Sequence, residues 1–224
     1  MRILLTFLGL AMFVVAEGRA QDAELLNTEF RCISWQRPIQ EELYVKSGGE
    51  YIPLKIHNMK RSGEVDYVGA NPVVFYRKAK GQDGETIYMP AAQVGVSPGV
   101  EQPLFFFIQN GANYRIACIE DSFSKYPVGS YRFYNLTSKN LKARMGDIVL
   151  TLNSQQTSVL PQPFTDNVEY PVAFVINSPE GVEPLYTNKW QHSEHHRYLI
   201  MVADSPYSHA SPIDFRVITD YPLP

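Results

Sequence analysis

Three of the five histidines lie in one segment, Trp190–Tyr198, which reads WQHSEHHRY. If residues 192–196 are extended, His192, Glu194 and His196 project to one side, because side chains alternate along a β-strand. Two imidazoles and a carboxylate are suitable ligands for a divalent transition metal. An exposed polar loop before the apolar strand that follows explains the same residues, so the sequence leaves a loop and a metal site open.

A catalytic metal requires more than these three side chains. The spacing is not that of the helical His-Glu-x-x-His zinc proteases. A metal-dependent hydrolase would also need further carboxylates, such as Asp204 or Asp214, to converge on the segment inside a pocket with an open coordination position. We keep this hydrolase as the alternative function.

A second motif fits the G-x-S-x-G pattern of serine hydrolases at Gly95-Val96-Ser97-Pro98-Gly99. In those enzymes the residue after the serine donates its backbone N–H to the oxyanion. Pro98 has no N–H, and the residues after it do not begin a helix. We therefore predict a turn between two strands.

The two cysteines, Cys32 and Cys118, are far apart in the chain. In an oxidising compartment a lone pair most simply forms one disulfide, and we predict that bond. Two free buried thiols are the alternative. Neither cysteine belongs to a C-x-x-C pair, so the sequence does not favour a cysteine metal site.

Asn135-Leu136-Thr137 matches the acceptor motif for N-glycosylation. The motif has this meaning only in a eukaryotic secretory route.

The chain has fourteen tyrosines and two tryptophans. These side chains could form a surface that binds a sugar or a protein, because such rings combine a large contact area with a polar tip.

The first twenty residues have the features of a signal peptide. Arg2 supplies positive charge, Ile3–Val15 is an apolar run, and Gly18-Arg19-Ala20 offers the small residues that a signal peptidase needs. The run is shorter than the roughly 20 residues needed to span a bilayer. We expect cleavage after Ala20 and export to the periplasm, the cell envelope or the medium; a retained anchor is the alternative.

Charge restricts the partners of the mature chain. Removal of residues 1–20 leaves 18 basic and 22 acidic residues, a net charge near −4. No basic tract remains, which argues against nucleic acid, since phosphate neutralisation drives that binding. No later apolar segment is long enough to span a membrane.

Period-two alternation of apolar residues predicts an all-β fold. Such segments are frequent, rich in Val, Ile, Tyr and Phe, and separated by glycine-containing turns, of which Asn110-Gly111 is the strongest hairpin signal. Leu104–Ile108 is apolar throughout and predicts a central strand buried on both faces. The alternating segments are 51–56, 73–77, 104–109, 114–119, 131–136, 147–152, 172–177, 198–203 and 213–219.

The strand spacing and the chain length predict two domains in tandem. A polar segment ending in Pro127 divides the mature chain into halves of similar size, at residues 25–121 and 128–221. Short strands about ten residues apart, punctuated by prolines, are typical of antiparallel β-sandwiches.

The stretch Pro127–Thr137, which reads PVGSYRFYNLT, is followed by a strand, a glycine turn at Gly146 and another strand. Residues 127–152 resemble the opening of uncharacterised immunoglobulin-like domains of secreted bacterial proteins. The resemblance implies an immunoglobulin-like antiparallel β-sandwich fold and an exported location. With the division at Pro127, we expect two such domains in tandem. It implies no catalytic residues.

Together these patterns favour a secreted or envelope-associated module without catalytic activity, which binds or scaffolds a protein or glycan of the cell envelope. Such a module predicts an exposed aromatic or apolar surface. It needs no cofactor, whereas the alternative hydrolase needs a divalent transition metal at His192, Glu194 and His196.

Overall fold

The computed structural model describes residues 25–35, 37–179, 181–205 and 212–221. The expected signal peptide, residues 1–20, lies outside these ranges. Within them the chain is all-β, with sixteen strands and no helix. The described residues therefore include no helix that is long and apolar enough to cross a membrane.

The strands fall into two consecutive sets of eight. The first set is β1 Leu25–Ser34, β2 Leu43–Ser47, β3 Glu50–Leu54, β4 Val65–Ala70, β5 Val73–Lys80, β6 Thr86–Val94, β7 Pro103–Asn110 and β8 Asn113–Glu120. The second set is β9 Tyr131–Asn135, β10 Leu141–Met145, β11 Ile148–Leu152, β12 Thr157–Leu160, β13 Glu169–Ser178, β14 Gly181–Gln191, β15 Arg197–Asp204 and β16 Ile213–Asp220.

All nine alternating segments of the sequence overlap strands of the structure. The alternation did not predict the other seven strands, β1, β2, β4, β6, β10, β12 and β14. Among these are the edge strands β6 and β14, which pair with a neighbour on one side only. Their residues are mostly exposed or half-buried on both faces, so no strict apolar period marks them. The hairpin at Asn110-Gly111 is confirmed, with Gly111 and Ala112 as the two turn residues between paired Asn110 and Asn113.

The two sets of strands form sheets with the same topology. In the first set the sheet orders are β4-β1-β7-β8 and β3-β2-β5-β6, and in the second they are β12-β9-β15-β16 and β11-β10-β13-β14. Counting strands from the start of each set gives the orders 4-1-7-8 and 3-2-5-6 twice. In each set the first and seventh strands pair in parallel. No sheet combines strands of the first half, β1–β8, with those of the second half, β9–β16.

The repetition extends to a local irregularity. The β5–β6 ladder shifts register after Phe75, and the β13–β14 ladder shifts after Phe174. Both phenylalanines are fully buried, and in each ladder the residue paired just beyond the shift is a proline, Pro90 or Pro184. Proline cannot donate to a further strand, so both outer edges are blocked at the same place.

Three hydrophobic clusters separate the four sheets. One lies between the two sheets of the first half and includes Phe30, Phe75 and Phe105. Another lies between the two sheets of the second half. The middle cluster takes residues from both halves, including Phe106 and Met201, so the sheets β4-β1-β7-β8 and β12-β9-β15-β16 pack against each other.

The middle layer confirms the prediction that Leu104–Ile108 is a central strand. Phe105 and Phe107 face the first-half cluster, while Leu104 and Phe106 face the middle cluster. These four side chains are at most 1% exposed. A strand buried on both faces has no polar face, which is why its sequence is continuously apolar.

Buried charges also join the halves. The Arg61 guanidinium donates to both carboxylate oxygens of Asp121 at 2.7 and 2.9 Å. Arg197, fully buried, donates to the backbone carbonyls of Asp121 and Tyr126 at 3.0 and 3.2 Å and pairs with Asp220. Because Asp220 also lies 3.7 Å from Arg61, each half contributes to one network.

The predicted disulfide is wrong, because both cysteines are free. Cys32 of β1 and Cys118 of β8 are each paired with Phe105 of β7, which lies between them. Two strand spacings separate their Cα atoms by about 9.5 Å. A disulfide requires less than about 7 Å, so the two thiols cannot meet without disrupting the sheet. The alternative of two free thiols matches the structure.

Candidate functional site

A cleft opens between the edge strands β14 and β16 of the second half. The backbones of the corresponding edge strands of the first half, β6 and β8, approach each other closely. Those of β14 and β16 do not, and side chains such as Tyr186 and Phe215 bridge these two strands instead. The same topology therefore closes this edge in one half and leaves it open in the other. The cleft has a volume of about 300 Å³.

The cleft is lined by aromatic rings and polar side chains. Its lining residues are Tyr131, Tyr170, Lys189, Trp190, Gln191, Tyr198, Val217 and Thr219. The three tyrosines are nearly buried and form the floor, while Trp190 is half-buried on the wall. Trp190 packs against Phe215 at 6.0 Å between centroids, and its indole N–H donates to the Tyr186 hydroxyl at 3.2 Å.

Hydrogen bonds below the floor fix the tyrosines. The Tyr170 hydroxyl donates to the Tyr131 hydroxyl at 3.0 Å. The Tyr131 hydroxyl lies 2.7 Å from His192 Nδ1 and can donate its own proton there. The Tyr131 ring also stacks on Tyr198 at 4.6 Å. Burial raises the pKa values of Tyr131 and Tyr170, so both hydroxyls remain protonated and available as fixed dipoles.

His192 supports this array from behind and is fully buried. Burial lowers its pKa, because an apolar environment disfavours the charged imidazolium. An interaction with the Phe164 backbone opposes this shift, although Nε2 makes no hydrogen bond of normal geometry. A neutral His192 with Nδ1 unprotonated is therefore the acceptor that Tyr131 requires.

Residues 192–196 do not form the extended strand that would align the three predicted metal ligands. Residues 193–196 form a turn, closed by a hydrogen bond from the His196 N–H to the Ser193 carbonyl at 3.2 Å. His192 is buried, Glu194 is exposed, and His196 packs against the Tyr221 ring at 4.3 Å. The alternation that would align them is therefore absent. Among the described residues, no three His, Cys, Asp or Glu side chains form a group that could hold a metal ion.

Asp204 and Asp214, the further carboxylates that the hydrolase hypothesis requires, lie far from the turn at residues 193–196. Asp204 ends β15, and Asp214 pairs with Ala203 at that same end of the strand. His196 immediately precedes the opposite end, and eight residues of β-strand span about 26 Å. Asp204 and Asp214 are thus too far from the turn to share a metal with it.

Gly129, in the stretch Pro127–Thr137, has a structural role beside the cleft. Gly129 adopts a φ of +79° and donates its N–H to the His196 carbonyl at 2.8 Å, which ties the chain before β9 to the histidine turn. A Cβ there would also meet the Gln162 side chain at 3.2 Å. Glycine therefore allows the approach that brings Tyr131 to the floor.

Asn135 of the sequon is fully buried. Its amide donates to the carbonyls of Lys139 and Leu152 at 2.7 and 2.9 Å, and its Oδ1 accepts from the Thr137 N–H and hydroxyl at 3.0 and 2.8 Å. In the folded protein this amide is therefore committed to holding the loop after β9 against β11 and is not accessible as a glycan acceptor.

The Gly95–Gly99 motif confirms the predicted turn. Ser97 lies in the connection between β6 and β7, is exposed, and accepts a backbone hydrogen bond from Val100 at 3.2 Å. No helix follows it. The geometry of a hydrolase nucleophile is therefore absent.

A larger groove lies on the first half, between β3 and β4, with a volume of about 990 Å³. Its walls are aliphatic, with Ile52, Leu54 and Val65 among them, and its rim is acidic. No Phe, Tyr or Trp lines it. The β14–β16 cleft is therefore the better candidate for a specific small ligand, since it combines rings with convergent polar groups.

Sequence reasoning singled out the segment that contains Trp190 and His192 and left it open between a polar loop and a metal site. It did not connect the segment with Tyr131 or Tyr170, which lie 61 and 22 residues away from His192 in the sequence. The useful signal was the position of Trp190 directly before a histidine-rich turn. Comparison with protein-family models gave no match, and comparison with curated protein sequences gave none either.

Proposed function

We propose that this chain is an exported, non-catalytic module of two immunoglobulin-like β-sandwich domains, about residues 25–121 and 128–221, that binds a glycan in the β14–β16 cleft. The observation that carries the proposal is the cleft itself, with Trp190 on its wall and hydrogen-bonded tyrosines on its floor. The leader-like residues 1–20 support export.

The size and chemistry of the cleft favour a glycan over a protein partner. A volume of about 300 Å³ lies at the lower end of small-ligand sites, so it suits one or two sugar rings. Stable protein interfaces instead bury about 800 Å² on each partner. The face of the Trp190 ring can stack on the apolar face of a sugar, while Gln191, Lys189 and Thr219 offer hydrogen-bonding groups to its hydroxyls.

The test is isothermal titration of the mature protein with neutral and N-acetylated oligosaccharides of glucose, mannose and glucosamine. We expect saturable binding with a dissociation constant of roughly 1 mM for the preferred sugar, because the cleft is small and open. Trp190→Ala should weaken this binding by at least about tenfold, which corresponds to about 1.4 kcal/mol.

A matched control is Tyr76→Ala, which removes a half-exposed ring from the outer sheet of the first half and should leave sugar affinity unchanged. Circular dichroism checks that each variant is folded. Absence of binding to every sugar, or equal binding by the wild type and Trp190→Ala, would overturn the proposal.

A further inference from the structure

Four tyrosines lie together on the outer face of the sheet β3-β2-β5-β6, on the first half and away from the cleft. They are Tyr44 of β2, Tyr51 of β3, Tyr76 of β5 and Tyr88 of β6. Their strand neighbours point inward to the first-half cluster, as Val45, Ile52 and Phe75 do. The alternation of side chains therefore places the four rings on the opposite, outer face.

Two of these rings are aligned face to face. The centroids of Tyr51 and Tyr88 are 3.6 Å apart, and the ring planes differ by 4°. Aromatic pairs ordinarily prefer offset or edge-to-face arrangements with centroids about 4.5–7 Å apart. Tyr51 and Tyr88 also come from strands at opposite edges of the sheet, so their side chains meet above β2 and β5.

The neighbouring tyrosines hold this pair in place. Tyr76 meets the Tyr51 ring edge to face at 5.2 Å, and Tyr44 meets the Tyr88 ring in the same way at 5.1 Å. Tyr44 is only 3% exposed, and its hydroxyl bonds the Glu42 carboxylate. Tyr51 and Tyr88 are both half-exposed and make no hydrogen bond to a described residue that would shield the hydroxyl.

We propose that Tyr51 and Tyr88 are a modification site at which oxidative coupling forms an intramolecular dityrosine. The oxidant is hydrogen peroxide used by a haem peroxidase, which removes one electron and one proton from each phenol. The two tyrosyl radicals then join through the ring carbons next to the hydroxyl-bearing carbons, and both rings regain aromaticity by proton transfer to their oxygens. One peroxide accepts the two electrons and two protons and leaves as two waters.

The link would join the two edge strands of one sheet covalently. It closes a loop from residue 51 to residue 88, which restricts the unfolded chain and stabilises the folded one. The thiols do not compete for the oxidant, because Cys32 is fully buried and burial raises the pKa of Cys118 to about 12. The site is independent of glycan binding.

The experiment treats the mature protein with a haem peroxidase and one equivalent of hydrogen peroxide. We expect dityrosine fluorescence, a chain that remains monomeric on a denaturing gel, and a mass lower by two hydrogen atoms. Peptide mapping should place the link between Tyr51 and Tyr88, and the midpoint of thermal unfolding should rise. Oxidation of Met89, which is exposed next to Tyr88, adds an oxygen atom and is therefore distinguished by mass.

Tyr51→Phe and Tyr88→Phe each keep a ring in the stack but remove the phenol, so each should abolish the intramolecular link. Tyr76→Phe is the matched control in the same cluster and should leave the yield unchanged. The proposal is overturned if no dityrosine forms, if it maps to another pair, if it forms only between chains, or if Tyr76→Phe reduces the yield as strongly as Tyr51→Phe.

Discussion

At the scale of single residues, burial decides the role of the chemically active side chains. His192 looked like a metal ligand because of its neighbours in the sequence, yet its ring is enclosed by Tyr131, Phe164 and Tyr198. Enclosure keeps the imidazole neutral and leaves Nδ1 to accept a hydrogen bond. A residue of reactive type therefore acts here by positioning a tyrosine.

The depressed pKa of His192 predicts acid sensitivity. The unfolded chain takes up a proton near pH 6.5, whereas folded His192 takes it up only at lower pH, so its contribution to stability is complete above about pH 6.5 and is lost as pH falls toward the folded value. Urea unfolding at pH 7.5 and pH 5 measures this loss. His192→Asn places an amide oxygen near the position of Nδ1 and removes the titration, so it should show a smaller loss.

His195→Asn is the control for this comparison, because the His195 side chain is 77% exposed. It should retain the pH dependence of the wild type. Equal loss of stability on acidification in the wild type and in His192→Asn would show that another group is responsible.

At the scale of strands, register decides which side chains can meet. Cys32 and Cys118 are the two cysteines of the chain, and they lie at the same level of one sheet. The intervening β7 keeps them apart.

Prolines protect the sheet edges from pairing with other chains. Pro53, Pro90 and Pro184 each lie in an edge strand, where the missing N–H discourages such pairing.

The strand arrangement predicts two unreactive free thiols in the native protein. Cys32 is fully buried, and burial raises the pKa of both cysteines, so little thiolate is available to a thiol reagent such as DTNB. Without any reductant, unfolding in guanidinium should release two reactive thiols per chain, and one in Cys32→Ala. If thiols appear only after a reductant is added, the cysteines are bonded and the register is different.

At the scale of the whole molecule, the two halves share a core. The middle cluster and the network of Arg61, Asp121, Arg197 and Asp220 connect sheets of different halves. Separation would expose apolar surface and leave buried charges unpaired, each at a cost of several kcal/mol. The halves should therefore unfold together.

Calorimetry of Phe106→Ala tests this coupling. Phe106 packs against Trp35 of its own half and Tyr134 of the other half. The wild type should unfold in one transition, while Phe106→Ala should lose about 3–5 kcal/mol and separate the transition into two. Phe105→Ala, the adjacent control in the first-half cluster, should lower the midpoint but keep one transition. Two transitions in the wild type would contradict a shared core.

The sequence by itself determined about half of the strands of this protein and the character of its turns. Alternation placed nine strand segments, the continuous run Leu104–Ile108 identified a strand buried on both faces, and glycine and proline marked the turns. These features follow from the chemistry of neighbouring residues, because strand period, burial and turn conformation are set within a few positions.

Only the tertiary structure decided which distant residues meet. The separation of Cys32 from Cys118, the contact of Tyr131 with His192, and the stacking of Tyr51 on Tyr88 all depend on strand order and register. The opening between β14 and β16, in a half whose topology matches a closed one, depends on packing between sheets. No local pattern encodes these distances, because they are set by elements that lie tens of residues apart in the chain.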